Sequence, residues 1–230
     1  LQEKLTGFGD RAREEMAFSG MWAFLAMMQA HFRDFSRAHE SIDRARQLEP
    51  EDMWIEVQRS LLLLREDRPD ESREVAEAAL EKTPRYWPTI AAVTDRYWME
   101  NRDDEAIELL QKALVETQGA GPARKLAQFY DEREMWGEAL EVLEEFEKRS
   151  PRADEETRKW LAGCRASFLY QLGRGEEMIP HAEIADRRYY HEVVERVKSG
   201  EFAKGKRVRL NVRFVRQNEL TCAPATLTAL

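Results

Sequence analysis

The chain has 230 residues, of which 43% are apolar and 35% charged, and no stretch approaches the roughly 18 consecutive apolar residues of a spanning helix, so a membrane span is excluded. Six Trp and ten Phe exclude a disordered chain, and only 17 Val plus Ile exclude a fold built mainly of strands, which leaves a helical one. A formal net charge of −8 argues against a chain-wide nucleic-acid footprint, and two cysteines, too few for a disulfide framework, predict a reducing, cytoplasmic compartment.

In chain order, residues 1–18 predict an N-terminal helical cap. After it, three prolines, Pro50, Pro84 and Pro151, each close a polar segment following a helical run. The first two lie one unit apart and the last two nearly two units apart. Aligned on them, Ala38, Ser72, Ala106 and Ala139 recur at spacings of 34, 34 and 33, and seven residues further come Ala45, Ala79, Ala113 and Phe146. Small residues recurring at a fixed period mark places where two helices approach closely. The first half of each unit agrees: Trp22, Leu25 and Ala26 form a W-x2-L-[GA] pattern, and Tyr97 and Tyr130 stand nine residues before Ala106 and Ala139.

This pattern resembles the tetratricopeptide repeat, whose period is 34 residues. The resemblance covers residues 19–153 as four units, although the second lacks the Trp and the third has Gln118 in place of the proline. It implies an all-α fold, a right-handed α-solenoid of helix-turn-helix repeats, whose inner helices line a concave groove for a peptide or protein partner. Residues 154–198 predict divergent, capping helices: one over 155–170, a turn at Leu172-Gly173-Arg174-Gly175, one over 176–190 and a short one over 191–198. By analogy with the family, Met27, His31, Asp95, Trp98, Arg124, Gln128 and Asp131 face the groove. The alternative places Met27 and Trp98 in the core and leaves the charged residues merely solvated. A self-occupied structural spacer is a further reading.

Beyond Tyr190 the character changes. From Arg196 to Arg216 eight Lys or Arg stand against one Glu, a local +7 that leaves −15 for the rest. Residues 199–207 read as a basic linker. In Val208, Leu210, Val212 and Phe214 apolar residues alternate with Arg209, Asn211 and Arg213, the period of a half-buried strand. One β-strand has no partner to pair with, so residues 208–230 predict the strand and helix start of a truncated second domain.

The run from Phe214 to Leu227, with Gln217 and then Cys222-Ala223-Pro224-Ala225, resembles the start of papain-like cysteine peptidases of the bacterial bacteriocin-processing type. There the cysteine, at a helix N-terminus that favours thiolate, is the nucleophile, and the glutamine donates to the oxyanion. By that resemblance Cys222 and Gln217 would take those roles, with Ala223 replacing the commoner Gly. The family's His and its Asp or Asn lie downstream of the cysteine, whereas His31, His39, His181 and His191 all precede Cys222. The chain by itself is therefore expected to be inert as a peptidase. The other reading makes Cys222 an ordinary buried thiol, and Cys164, among Leu161, Phe168 and Leu169, is expected in a core. His31 and His39 lack a third ligand at metal spacing and no Gly-rich phosphate loop is present, so neither metal nor cofactor is expected.

Overall fold

The computed structural model describes residues 11–117 and 119–200, and 81% of them lie in eleven helices. These are α1 (Arg11–His31), α2 (Phe35–Leu48), α3 (Met53–Arg65), α4 (Pro69–Lys82), α5 (Trp87–Met99), α6 (Asp103–Glu116), α7 (Gly121–Glu132), α8 (Trp136–Arg149), α9 (Glu155–Gln171), α10 (Gly175–Ala185) and α11 (Arg188–Lys198). The all-α expectation holds for them. The expected strand over 208–214 and the segment carrying Gln217 and Cys222 lie outside the described residues, as do residues 1–10. Residues 11–18, expected to belong to an N-terminal helical cap, are helical and form the opening turns of α1, since nothing between Arg11 and Ser19 breaks a helix.

Local chemistry sets the helix ends. Asp52 and Asp154 cap α3 and α9, accepting from the backbone N–H of Trp54 at 2.9 Å and of Thr157 at 2.7 Å. Pro69 opens α4, and Pro88 and Pro122 lie in the first turns of α5 and α7, where a missing N–H costs nothing. Pro50, Pro84 and Pro151 each stand two residues past the end of α2, α4 and α8, where a proline forbids continuation.

The turn inside each helix pair is the most repetitive feature. Arg33, Asp67, Asn101 and Glu134, spaced 34, 34 and 33, have φ of 60°, 62°, 59° and 61°, and Gly173 has φ 76°. Each N–H donates to the carbonyl three residues back, and the next N–H donates to the carbonyl five back: Arg33 to Ala30 at 3.0 Å and Asp34 to Gln29 at 2.9 Å in the first, Gly173 to Tyr170 at 3.1 Å and Arg174 to Leu169 at 2.9 Å in the fifth. That is the Schellman termination, which satisfies carbonyls the helix end would orphan. Only one of the five positions is glycine.

Counted from these left-handed residues, the packing repeats. Five residues on, Ala38, Ser72, Ala106 and Ala139 are fully buried, as the periodicity predicts, while the fifth pair has buried Met178. Twelve residues on, Ala45, Ala79, Ala113, Phe146 and Ala185 are buried. The fifth pair thus keeps the frame despite its irregular sequence. The first helix of each pair has its own frame: Ile55 and Leu62 on α3, Thr89 and Arg96 on α5, Pro122 and Phe129 on α7, Leu161 and Phe168 on α9 are all buried, whereas Met21 and Met28 on α1 are exposed.

The chain divides into two compact units at Leu109/Leu110, inside α6. In the first, α1 and α2 form a hairpin with α3 against it, and Ala23, Ala26, Ala30, Ala38, Ile42, Ala45, Ile55 and Leu62 share one core. Val57, Ala76, Ala92 and Val93 form a second cluster across α3, α4 and α5. Close approach of α3 and α4 is fastened by Ser60 and Ser72, whose hydroxyls each donate to the other's carbonyl, at 2.8 and 2.7 Å. Polar links between helices repeat too: His39 Nε2 meets Glu66 Oε2 at 2.7 Å, and one repeat later Arg73 Nη1 donates to Glu100 at 2.9 Å.

In the second unit, α7 packs on α8, α8 on α9, and α9 on α10. Ala166, Leu169, Met178, Ala182 and Val194 form its core cluster. The helix expected over 176–190 is two helices: α10 stops at Ala185, Asp186 turns left-handed at φ 48°, and Tyr190 belongs to α11. The break is quiet in sequence because a short polar Asp tolerates that conformation without glycine. Tyr190 then anchors α11 by donating its hydroxyl to the Gly163 carbonyl at 2.8 Å.

Candidate functional site

The residues expected to line a groove all lie on first helices of pairs, and the two units place them differently. In the first unit Met27 is half-buried, packed beside the first core cluster, and its carbonyl accepts from Arg65 Nη1 at 3.4 Å. Asp95 and Trp98, three apart on α5 and so on one side of it, are both half-buried. His31 is exposed, its ring edge-on to Phe32 at 5.3 Å between centroids. Met27 therefore packs in part against that cluster.

The second unit gathers its three. Arg124, Gln128 and Asp131, spaced four and three along α7, are all exposed, because their neighbours Ala123, Leu126, Ala127 and Tyr130 take the buried side. The Arg124 guanidinium lies over the Trp160 ring at 4.6 Å from its centroid, and Trp160 meets Phe146 edge-on at 5.4 Å. Asp131 is oriented by Trp136, whose Nε1 donates to Oδ1 at 3.1 Å, while Gln128 Nε2 donates to Glu132 at 3.4 Å. One turn beyond Trp160 on α9 lies Cys164, half-buried. Burial, and then the charge of Asp131, push its thiol up to about 11, while Arg124 and Arg187 pull the other way. Arg124, Asp131, Trp160, Cys164 and Arg187 therefore share one neighbourhood.

This face offers a cation held on an aromatic plane, an oriented carboxylate and an exposed amide. The thiol there is protonated at neutral pH and is a poor nucleophile. Among the described residues no group of three His, Cys, Asp or Glu side chains is placed to hold a metal ion, and no helix is long and apolar enough to cross a membrane. Elsewhere in the unit an open cleft of about 410 Å³ is bounded by α8, α9 and α10, with Arg165, Arg174 and His181 facing Glu141, Glu144 and Glu177. Burial, with the Arg165 charge, lowers the His181 pKa, favouring neutral imidazole.

Solved structures share this arrangement of helices. The chain superimposes on Pseudomonas aeruginosa PilF with a TM-score of 0.63 at 12% identity, covering 83% of this chain and 89% of that one. For yeast Tom70 the TM-score is 0.63 at 22% identity, with 81% of this chain matched to 40% of that one. For PilW, described as a widely conserved type IV pilus biogenesis factor, it is 0.56 at 17% identity, covering 78% and 82%. The fold is that of tetratricopeptide-like helical repeats. No protein-family model and no curated protein sequence matches the chain.

Sequence reasoning missed Trp160, Arg187 and the half-open position of Cys164. A signal for the first and last existed: Trp160 and Cys164 are four apart on the next first helix after α7, the spacing that places two side chains on one face. Cys164, expected in a core, is only half-buried. Arg187 follows a helix break that the sequence does not announce.

Proposed function

We propose that this chain is a protein-interaction module that holds a peptide or protein segment on the faces of its first helices, with Arg124, Gln128, Asp131 and Trp160 as the best-formed part of that surface. The observation that carries the reading is the Arg124–Trp160 stack beside the Trp136-oriented Asp131. Long charged side chains left to solvent ordinarily roam; here two are held in place before any ligand arrives, which reduces the entropy lost on binding. A ligand fitting this surface carries an acidic group for Arg124, a basic or hydroxyl donor for Asp131, and apolar contact for the Trp160 edge. In the first unit, Asp95, Trp98 and His31 are proposed as contact residues of a surface of its own.

The test is selection of displayed random peptides on the full chain, followed by affinity measurement of the selected peptides. Arg124→Glu and Asp131→Arg are each expected to weaken binding at least tenfold with helical content unchanged. Selected peptides that bind both variants as tightly as the wild type would sink the reading.

A second proposal rests on the spacing of Gln217 and Cys222-Ala-Pro-Ala: the helical body serves as the targeting region of a longer cysteine peptidase with Cys222 as nucleophile. A coding frame read through Leu230 into a segment with a His and then an Asp or Asn supports it when the product cleaves a peptide in a Cys222-dependent way. A stop codon directly after Leu230 removes it.

A further inference from the structure

α1 differs from every other first helix in what it leaves uncovered. The positions buried on α3, α5, α7 and α9 are occupied on α1 by Met21 and Met28, each 45% exposed. Beside them Leu25 is 40%, Phe24 65% and Phe32 75% exposed, and Phe18 is half-buried. Phe18, Met21, Leu25, Met28 and Phe32 succeed one another at spacings of three, four, three and four, the alternation of a seam along which one helix packs on another. The opposite side of α1, with Ala23, Ala26 and Ala30, already belongs to the first core cluster. Hence α1 is apolar on two sides, and among the described residues nothing covers one of them.

We infer that this open side is a self-association surface, occupied by α1 of a second copy of the chain in antiparallel orientation. Three observations select that occupant. First, the residue types of the seam read Phe-Met-Leu-Met-Phe, the same in both directions about Leu25, so a twofold axis there sets Leu25 on Leu25 and Phe18 on Phe32 and brings Met21 within one residue of facing Met28; an isologous interface requires such self-complementarity. Second, no Asp, Glu, Lys or Arg occurs from Phe18 to His31. A chain of net charge −8 therefore meets no like-charge repulsion along the contact, and no flanking charges select a different helix. Third, at about 200 Å² per large side chain, the exposed fractions of Met21, Leu25, Met28 and Phe32 together with the flanking Phe24 amount to roughly 500 Å² per chain and roughly 1,000 Å² in the pair, the lower limit of a specific interface. An interface at this limit is expected to be weak and reversible. The inference is independent of the peptide-binding surface of the second unit.

Sedimentation velocity of the full chain over a hundredfold concentration range around about 10 µM tests it. The wild type is expected to shift from monomer to dimer, and Leu25→Glu and Met28→Glu, at exposed positions, to stay monomeric at the highest concentration with unchanged circular dichroism. In a background with Cys164 and Cys222 replaced by Ser, oxidation of Leu25→Cys is expected to link two chains, and oxidation of Phe32→Cys to link none. A wild type that remains monomeric throughout, whether because residues 1–10 cover the seam or because nothing does, overturns the inference. So does a dimer that survives Met28→Glu, and equal cross-linking at positions 25 and 32, which signifies parallel helices, overturns the orientation.

Discussion

Arg96 occupies a position where the repeat frame puts hydrophobic residues: Leu62 holds the same place one repeat earlier and Phe129 one repeat later, and both are buried. Arg96 is itself only 5% exposed. Its Nη1 donates to Ser72 Oγ at 3.3 Å, while its Nε is buried without a hydrogen-bond partner. Burial draws its pKa below the ordinary guanidinium value, against the opposing charges of Asp95 and Glu100. Replacing it by Met keeps a long side chain in the slot and removes the desolvated charge. Little is stranded by the change, because Ser60 and Ser72 still bond each other, and Glu100 keeps Arg73 at 2.9 Å and Arg102 at 3.2 Å. An unsatisfied buried donor costs about 1–3 kcal/mol, and exchanging buried charge for apolar volume is commonly neutral to stabilising by about 1–4 kcal/mol. Arg96→Met is therefore expected to stabilise the first unit by about 1–3 kcal/mol, a rise of about 2–10 °C in its melting temperature for a chain of this length. Thermal and urea unfolding followed by tryptophan fluorescence, with four of the six Trp in the first unit, measures it. A fall in stability with native helical content would refute the reasoning, since the guanidinium would then contribute more through Ser72 and its carboxylate neighbours than its desolvation costs.

The turn residues make a paired prediction. Gly173→Ala at φ 76°, where an added Cβ meets no atom within 4 Å, is expected to cost about 1 kcal/mol from conformation alone, and Glu134→Gly at φ 61° to gain up to about 1 kcal/mol; urea midpoints read both, and equal signs would refute the strain argument. Cys164, with its thiol pushed up to about 11, is expected to react with iodoacetamide at pH 8 about 100-fold more slowly in a folded Cys222→Ser chain than in urea. In acid, the carboxyls of Glu66, held down by His39, of Glu145, by Arg149, and of Asp154, by the Thr157 N–H, sit below their ordinary values. Their contribution is complete above the unfolded carboxylate range near pH 4.5 and is lost as pH falls through the lower folded values, so the melting temperature should drop below about pH 4.5.

What was legible in the sequence was the packing frame. Ala38, Ser72, Ala106 and Ala139 recur because helix pairs approach too closely for larger side chains, and that constraint acts on residue type directly. The turns were less legible: four of the five left-handed residues are Arg, Asp, Asn and Glu, so the glycine that usually marks such a turn is absent except at Gly173. The same holds at Asp186, where α10 ends inside a stretch that reads as one helix. Of the candidate site, the three α7 residues fell together because four and three residues make one helix face. Trp160 and Arg187 come from elements the one-helix pattern does not join to α7.

The same frame explains why α1 escaped notice. A hydrophobic residue on a helix reads as core whichever way it points, so Phe24, Met28 and Phe32 and the buried Ala23, Ala26 and Ala30 give one undivided signal. Only later repeats reveal that a single helix pair can bury α1 on one side. Each first helix in such an array has two packing sides, one toward its own hairpin partner and one toward the pair before it. α3 fills the second side by packing Ile55 and Leu62 against α1 and α2. On α1 the side chains at those positions are Met, with Phe and Leu beside them, where a face left to water would favour charge. The repeat pattern itself therefore distinguishes a face prepared for solvent from one prepared for another helix, and that of α1 is of the second kind.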